Sequence, residues 1–245
     1  MDRVARAHYD ENDGWSAFPG YRTQRFRIRG SLPPSIDSVL TAGVTLTVAP
    51  RTAMIDASIL RFDRYLVVRG VSAPIDLTWK RERGSAQGRG LILLLEQGTL
   101  TVSASQRRFR VQASQVAIVP PGDDPVFLRS EQVVAGVIFS FAAMEIEPLR
   151  VRWGLSHGGV VGQSVLALLN TAVKAPPLPT PQSSNLLRSL LRASAQALVA
   201  DATQVFGAAE ADTIAVVKLI VETAFRLRDS LLTRSPAMSG SLAVP

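Results

Sequence analysis

The chain has 245 residues, 47% of them apolar, enough to bury a sizeable core as one large domain or as one medium domain with an appendage. It contains no cysteine, which excludes disulfides, thiolate metal sites and cysteine nucleophiles, and which agrees with a reducing cytosol. Its net charge of +7, carried mostly by arginine, attracts polyanions through counterion release, but Arg-rich composition also follows from GC-rich coding, so charge alone names no partner.

From the N-terminus, Met1–Trp15 is polar and charged, and no apolar signal-peptide core follows it. Gly14, Pro19, Gly20, Pro33 and Pro34 punctuate what reads as a loosely ordered arm over residues 1–34. Within it Tyr21–Arg29 alternates Tyr21, Phe26 and Ile28 with arginines. It is either an edge strand with a solvated basic face or an arm that touches phosphate or an acidic partner. From Val44 the period is near two, with Val44, Leu46 and Val48 set among threonines. Strands are expected over Ile59–Val68 and Ile75–Lys80, with a turn near Gly70, then over Leu91–Leu95, Gly98–Val102, Arg108–Gln112, Gln115–Val119, Val126–Arg129 and Val133–Phe141. Many short strands separated by turn signals predict a sandwich or barrel, here over residues 35–155.

After Pro148 the period changes. Val161, Val165, Leu168, Leu169 and Ala172 predict a helix over Val160–Lys174. The Pro-rich run Ala175–Ser184 breaks it, and Ser184 or Asn185 can cap a second helix, Leu186–Val205. The stripe Leu187, Leu191, Ala195 and Leu198 either packs on the chain's own barrel or faces a second copy. The expectation is that residues 156–207 form a helical dimerisation segment with Leu187, Leu191 and Leu198 at a homodimer seam. Gly207 ends that helix, and Val217, Ile220, Ala224, Leu227 and Leu231 predict a third over Asp212–Leu232. The longest apolar runs, such as Leu91–Leu95, fall far short of the ~20 residues that span a bilayer. A soluble, cytoplasmic protein without a membrane partner is expected.

The run Gly90–Phe141, read as strand–Gly–strand–strand–Pro-Pro-Gly, resembles a cupin barrel. Cupin enzymes hold a metal with two or three histidines and a glutamate. Here the only two histidines are His8 and His157, and neither lies on an expected barrel strand. There is no G-x-S-x-G elbow and no phosphate-binding glycine motif. No catalytic residue, metal ligand or cofactor is therefore assigned, and the protein is not read as an enzyme. Gly84–Gly90 reads as a flexible hairpin loop, and Asp123 and Asp124 read as turn formers after Pro121-Gly122. Tyr65, Trp79, Phe109, Phe127 and Phe139 are the candidate lining of an apolar pocket for a small-molecule effector, or they fill the core. Arg61, Arg64 and Arg69 either meet an acidic ligand or are solvated.

The order of elements resembles the AraC family of bacterial transcription regulators, specifically members with an AraC-binding-like cupin domain, over roughly residues 35–232. Leu93–Val102 matches that family's hairpin with its central glycine. Gln115–Asp123 matches the strand carrying the family's G-D…P-G element, with Ala113-Ser114-Gln115 replacing the usual Pro-Gly-Asp. The resemblance implies an α+β chain, namely a cupin-like β-barrel or jelly roll, a helical hairpin and a further C-terminal helix. It also implies an effector-binding and dimerisation domain ahead of two helix-turn-helix units. Asp212–Leu232 resembles the first helix of that DNA-binding module, so residues 208–245 read as a remnant of its first part, without recognition helices. DNA is then a partner only if a longer form or another protein supplies the helix-turn-helix. The alternative is a cupin-fold small-molecule binding protein or enzyme not involved in transcription.

Overall fold

Period-two patterning builds thirteen strands among the residues that the computed structural model describes, which are 8–9, 21–30, 45–48, 53–62, 64–81, 88–146, 149, 151–174 and 181–203. They are β1 (His8–Tyr9), β2 (Tyr21–Gly30), β3 (Thr45–Val48), β4 (Ala53–Phe62), β5 (Tyr65–Ser72), β6 (Ile75–Lys80), β7 (Arg89–Gln97), β8 (Thr99–Ala104), β9 (Arg107–Gln112), β10 (Val116–Val119), β11 (Val126–Ser130), β12 (Val134–Ala142) and β13 (Gly154–Ser156). A 3-10 turn, Ala143–Ile146, follows β12, and two helices close the described chain, α1 (Gly159–Lys174) and α2 (Pro181–Thr203). The strands form an eight-stranded sheet, β1-β2-β4-β5-β12-β7-β10-β13, and a five-stranded sheet, β3-β6-β11-β8-β9.

Burial shows how the sheets stack. In β8 buried residues alternate with partly exposed ones, the mark of a sheet covered on one face. In β7 every residue from Arg89 to Leu95 is buried, because both faces are covered. Leu91, Leu93 and Leu95 face the small sheet and join Leu66, Trp79 and Leu128 in one core. Ile92 and Leu94 face the other way and join Val67, Phe139, Leu169 and Leu191 in a second core beneath the helices. The layers are therefore small sheet, large sheet, helices.

Several elements differ from the sequence reading. Tyr21–Gly30 is a ten-residue strand hydrogen-bonded along β4, so it belongs to the large sheet and not to a loosely ordered arm. The single strand expected over Ile59–Val68 is a hairpin, because Phe62 pairs with Tyr65. Gly70 lies inside β5 and not in a turn. The turn glycine is Gly98, with φ +85, where an added Cβ would collide with the Val133 carbonyl oxygen. α2 begins at Pro181, not at Leu186, since proline in a first helical turn forfeits no hydrogen bond. Leu187, Leu191 and Leu198, assigned to a dimer seam, are 3%, 1% and 0% exposed in the core between α2 and the large sheet. The stripe is buried within one chain. Val44, most of the Gly84–Gly90 loop, Val205, Gly207 and the helix expected over Asp212–Leu232 lie outside the described residues.

Candidate functional site

The inner face of the large sheet carries a dent. Cross-strand pairing sets Ile59, Val68, Ile138 and Leu93 in one row of branched side chains. Two residues along, the paired row is Ala57, Gly70, Gly136 and Leu95. Three adjacent strands thus present almost no side chain at one level. A Cβ on Gly70 would lie 3.0 Å from the Ala57 Cβ, and one on Gly136 would collide with the Leu94 carbonyl oxygen. Gly136 sits at a β-bulge, where Ala135 pairs with Gln97 and Gly136 with Leu95, so Glu96 is the extra residue. Leu77, Leu100 and Leu128 of the small sheet face the dent, and a cavity of about 110 Å³ remains. Among the described residues Ser72 supplies its one polar side chain, and no charged residue lines it.

Directly behind that wall, a polar cluster ties the large sheet to α1. Arg69 Nε–H donates to Asn170 Oδ1 at 2.7 Å, and Asn170 Nδ2 donates to Glu96 Oε1 at 2.9 Å. Arg69 also pairs with Glu96 at 3.5 Å. Arg69 adjoins Gly70 and Glu96 adjoins Leu95, so the clasp and the cavity share strand segments.

The five aromatic candidates do not meet at this cavity, and none of them lines it. Tyr65 and Phe139 stack at 6.1 Å on the opposite face of the large sheet, under the helices. The Tyr65 hydroxyl donates to Glu145 at 3.2 Å, and burial together with that carboxylate pushes its pKa up. Trp79 is buried between the sheets. Phe109 packs at 5.4 Å against Trp153. Phe127 is 41% exposed on the outer face of the small sheet, because Val126 and Leu128 take the inward positions of β11.

Of the candidate arginines, Arg64 pairs with Glu145 at 3.2 Å and Arg69 belongs to the clasp, while Arg61 is half-buried. Two deeper arginines escaped the sequence reading. Arg81, 3% exposed, donates to the Asp124 and Pro120 carbonyls at 2.6 and 2.7 Å and lies 5.6 Å over the Trp79 ring. It fastens the Pro-Pro-Gly-Asp-Asp turn. Burial lowers its pKa, and Asp124 and Asp123 oppose that shift. Arg89, 7% exposed, donates to Ser140 Oγ at 2.9 Å and to the Ser140 carbonyl at 3.2 Å. Burial, with Arg61 adding to it, lowers its pKa to about 10. Asp123 and Asp124 are exposed turn residues, and Asp124 accepts the Ser105 hydroxyl hydrogen. His157 is exposed beyond β13, and among the described residues no three His, Asp or Glu side chains converge. The aliphatic lining of the cavity does not fit a cupin metal, which needs several nitrogen or oxygen donors at one point.

No protein-family model and no curated protein matches the sequence. Solved structures do match in shape. The AraC-like transcriptional activator CuxR aligns over 91% of this chain and 81% of its own, at 14% identity and a TM-score of 0.51. The Clostridium difficile EutQ protein aligns over 37% of this chain and 64% of its own, at 11% identity and a TM-score of 0.30. A cupin 2 conserved barrel domain protein from Salinispora arenicola CNS-205 aligns over 51% of this chain and 77% of its own, at 15% identity and a TM-score of 0.27. The chain thus spans less than two thirds of the EutQ protein. The fold is α+β and cupin-like, two antiparallel sheets followed by helices. Among the described residues no helix is long and apolar enough to cross a membrane.

Proposed function

We propose that this chain is the ligand-sensing part of an AraC-type transcription regulator, a non-catalytic module of the cytoplasm whose sandwich takes up a small uncharged effector. The observation that carries this reading is the dent made by Ala57, Gly70 and Gly136, which leaves an apolar cavity where a packed sandwich would have side chains. A charge buried there would find no partner, which selects against ionised ligands. At about 110 Å³ the cavity is comparable to the engineered apolar void of ~150 Å³ that binds benzene. The regulatory side of the reading is supported by fold agreement along most of the chain with a structure described as an AraC-like transcriptional activator. Homodimerisation, in this reading, uses surfaces other than the Leu187–Leu198 stripe.

Toluene and benzoate test the cavity, since they share a ring and differ in charge. Toluene at ten times its Kd should stabilise the fold by about 1.4 kcal/mol, a Tm rise of roughly 3–5 °C. Benzoate should not, and Ala57→Leu should abolish the toluene effect. A toluene shift that survives Ala57→Leu, or no shift at all, sinks the assignment.

A further inference from the structure

Among the described residues no element covers the outer face of the small sheet, and its residues form two registered rows. One row is Thr78, Phe127, Ser103 and Arg108, and the next is Asp76, Arg129, Thr101 and Arg110. Alternation sends these side chains outward, while Trp79, Leu128, Val102 and Val111 point into the core. Phe127, Arg108, Arg110 and Arg129 are all exposed, as is Lys80 at the edge of the patch. Asp76, opposite Arg129, is the carboxylate within these two rows, and Asp124 and Glu131 are exposed at the two ends of β11. The two rows therefore combine an exposed aromatic ring with three arginines against one aspartate, in a chain of net charge +7.

We propose that this face binds single-stranded nucleic acid, with Phe127 as a stacking platform for a base and Arg108, Arg110 and Arg129 as phosphate contacts. Strand spacing puts Arg108 and Arg110 ~7 Å apart along β9 and about 10 Å from Phe127 and Arg129 on β11. Long arginine side chains then reach the phosphates on either side of a base stacked on the ring. A duplex fits poorly, because its major groove admits a helix or a two-stranded ribbon and not a face four strands wide. An acidic peptide would use the arginines but gains little from Phe127, whereas every base offers a π face to an aromatic ring. The site is on the opposite side of the small sheet from the effector cavity, so its test is independent of that reading.

The test is fluorescence anisotropy of a labelled oligothymidylate of about 15 nucleotides with the full chain at low salt. Binding should weaken as salt rises, with a log–log slope of about −2 for three phosphate contacts. Arg108→Glu/Arg110→Glu should weaken it at least tenfold or so and flatten the slope by about 1.4. Phe127→Ala should weaken it roughly tenfold and leave the slope unchanged. Lys174→Glu/Arg192→Glu, an equal change in net charge on exposed helical positions, should leave binding within about twofold. All these side chains are exposed, and far-UV circular dichroism checks each fold. Equal losses in the β9 and helical variants would reduce the effect to net charge. Tighter binding of duplex, equal competition by polyglutamate, or no binding by the unmodified chain would each overturn the proposal.

Discussion

Arg89 is the least expected residue in the core. The residue is 7% exposed, Arg61 adds like charge, and the hydrogen-bond acceptors of its guanidinium are the side chain and carbonyl of Ser140. A buried charge held in this way stabilises little and can cost more than it returns. Arg89→Met alone should nevertheless destabilise the fold by about 1–3 kcal/mol, because it strands the hydroxyl of Ser140, a residue only 1% exposed. Arg89→Met/Ser140→Ala, which removes both polar partners, should recover wild-type stability or exceed it. Urea denaturation of the three proteins measures this, and a double variant weaker than the single one would show the guanidinium to be a net stabiliser. The pH dependence has a definite sign. The folded pKa is lowered to about 10, below the unfolded value, so the unfolded chain binds more protons above that pH. Arg89 therefore makes stability rise with pH from about 10 upward and contributes no slope at neutral pH.

Among the elements, strands of strong period two were legible. Ile75–Lys80 was placed with its bounds, β9, β10, β11 and β12 to within one residue, and β8 to within two. Ile59–Val68 misled because its apolar residues run straight through the β4–β5 reversal, leaving composition no break to show. The cavity was illegible for a related reason. An aromatic residue advertises a pocket in a sequence, but this pocket is made by side chains that are missing, at Ala57, Gly70 and Gly136. The available signal was glycine inside a strand pattern, which marks a bulge or a close backbone approach. Gly70 was given to a turn instead. Helix α2 shows how periodicity identifies a buried stripe without naming what buries it. Leu191 is 1% exposed against the large sheet, so Leu191→Asp should cost several kcal/mol and unfold the chain. Circular dichroism in urea reads this, whereas a folded, soluble Leu191→Asp monomer would return the stripe to an interface between copies.

At the scale of the whole molecule, the large sheet serves as a wall common to two interiors. On one side it bounds the apolar cavity, and on the other it receives α1 and α2. The Arg69–Asn170–Glu96 clasp lies on the helix side of the strand segments that floor the cavity and ties them to α1. The same layering has a consequence for how the gene tolerates change. A strand packed on both sides has no spare position, whereas a strand with one wet side offers every second residue to drift. In a saturation-mutagenesis scan read out by abundance, polar substitutions should be refused without interruption from Leu91 to Leu95 and at alternate positions only from Thr99 to Ala104. An uninterrupted block along β8, or an alternating one along β7, would contradict the order of the layers.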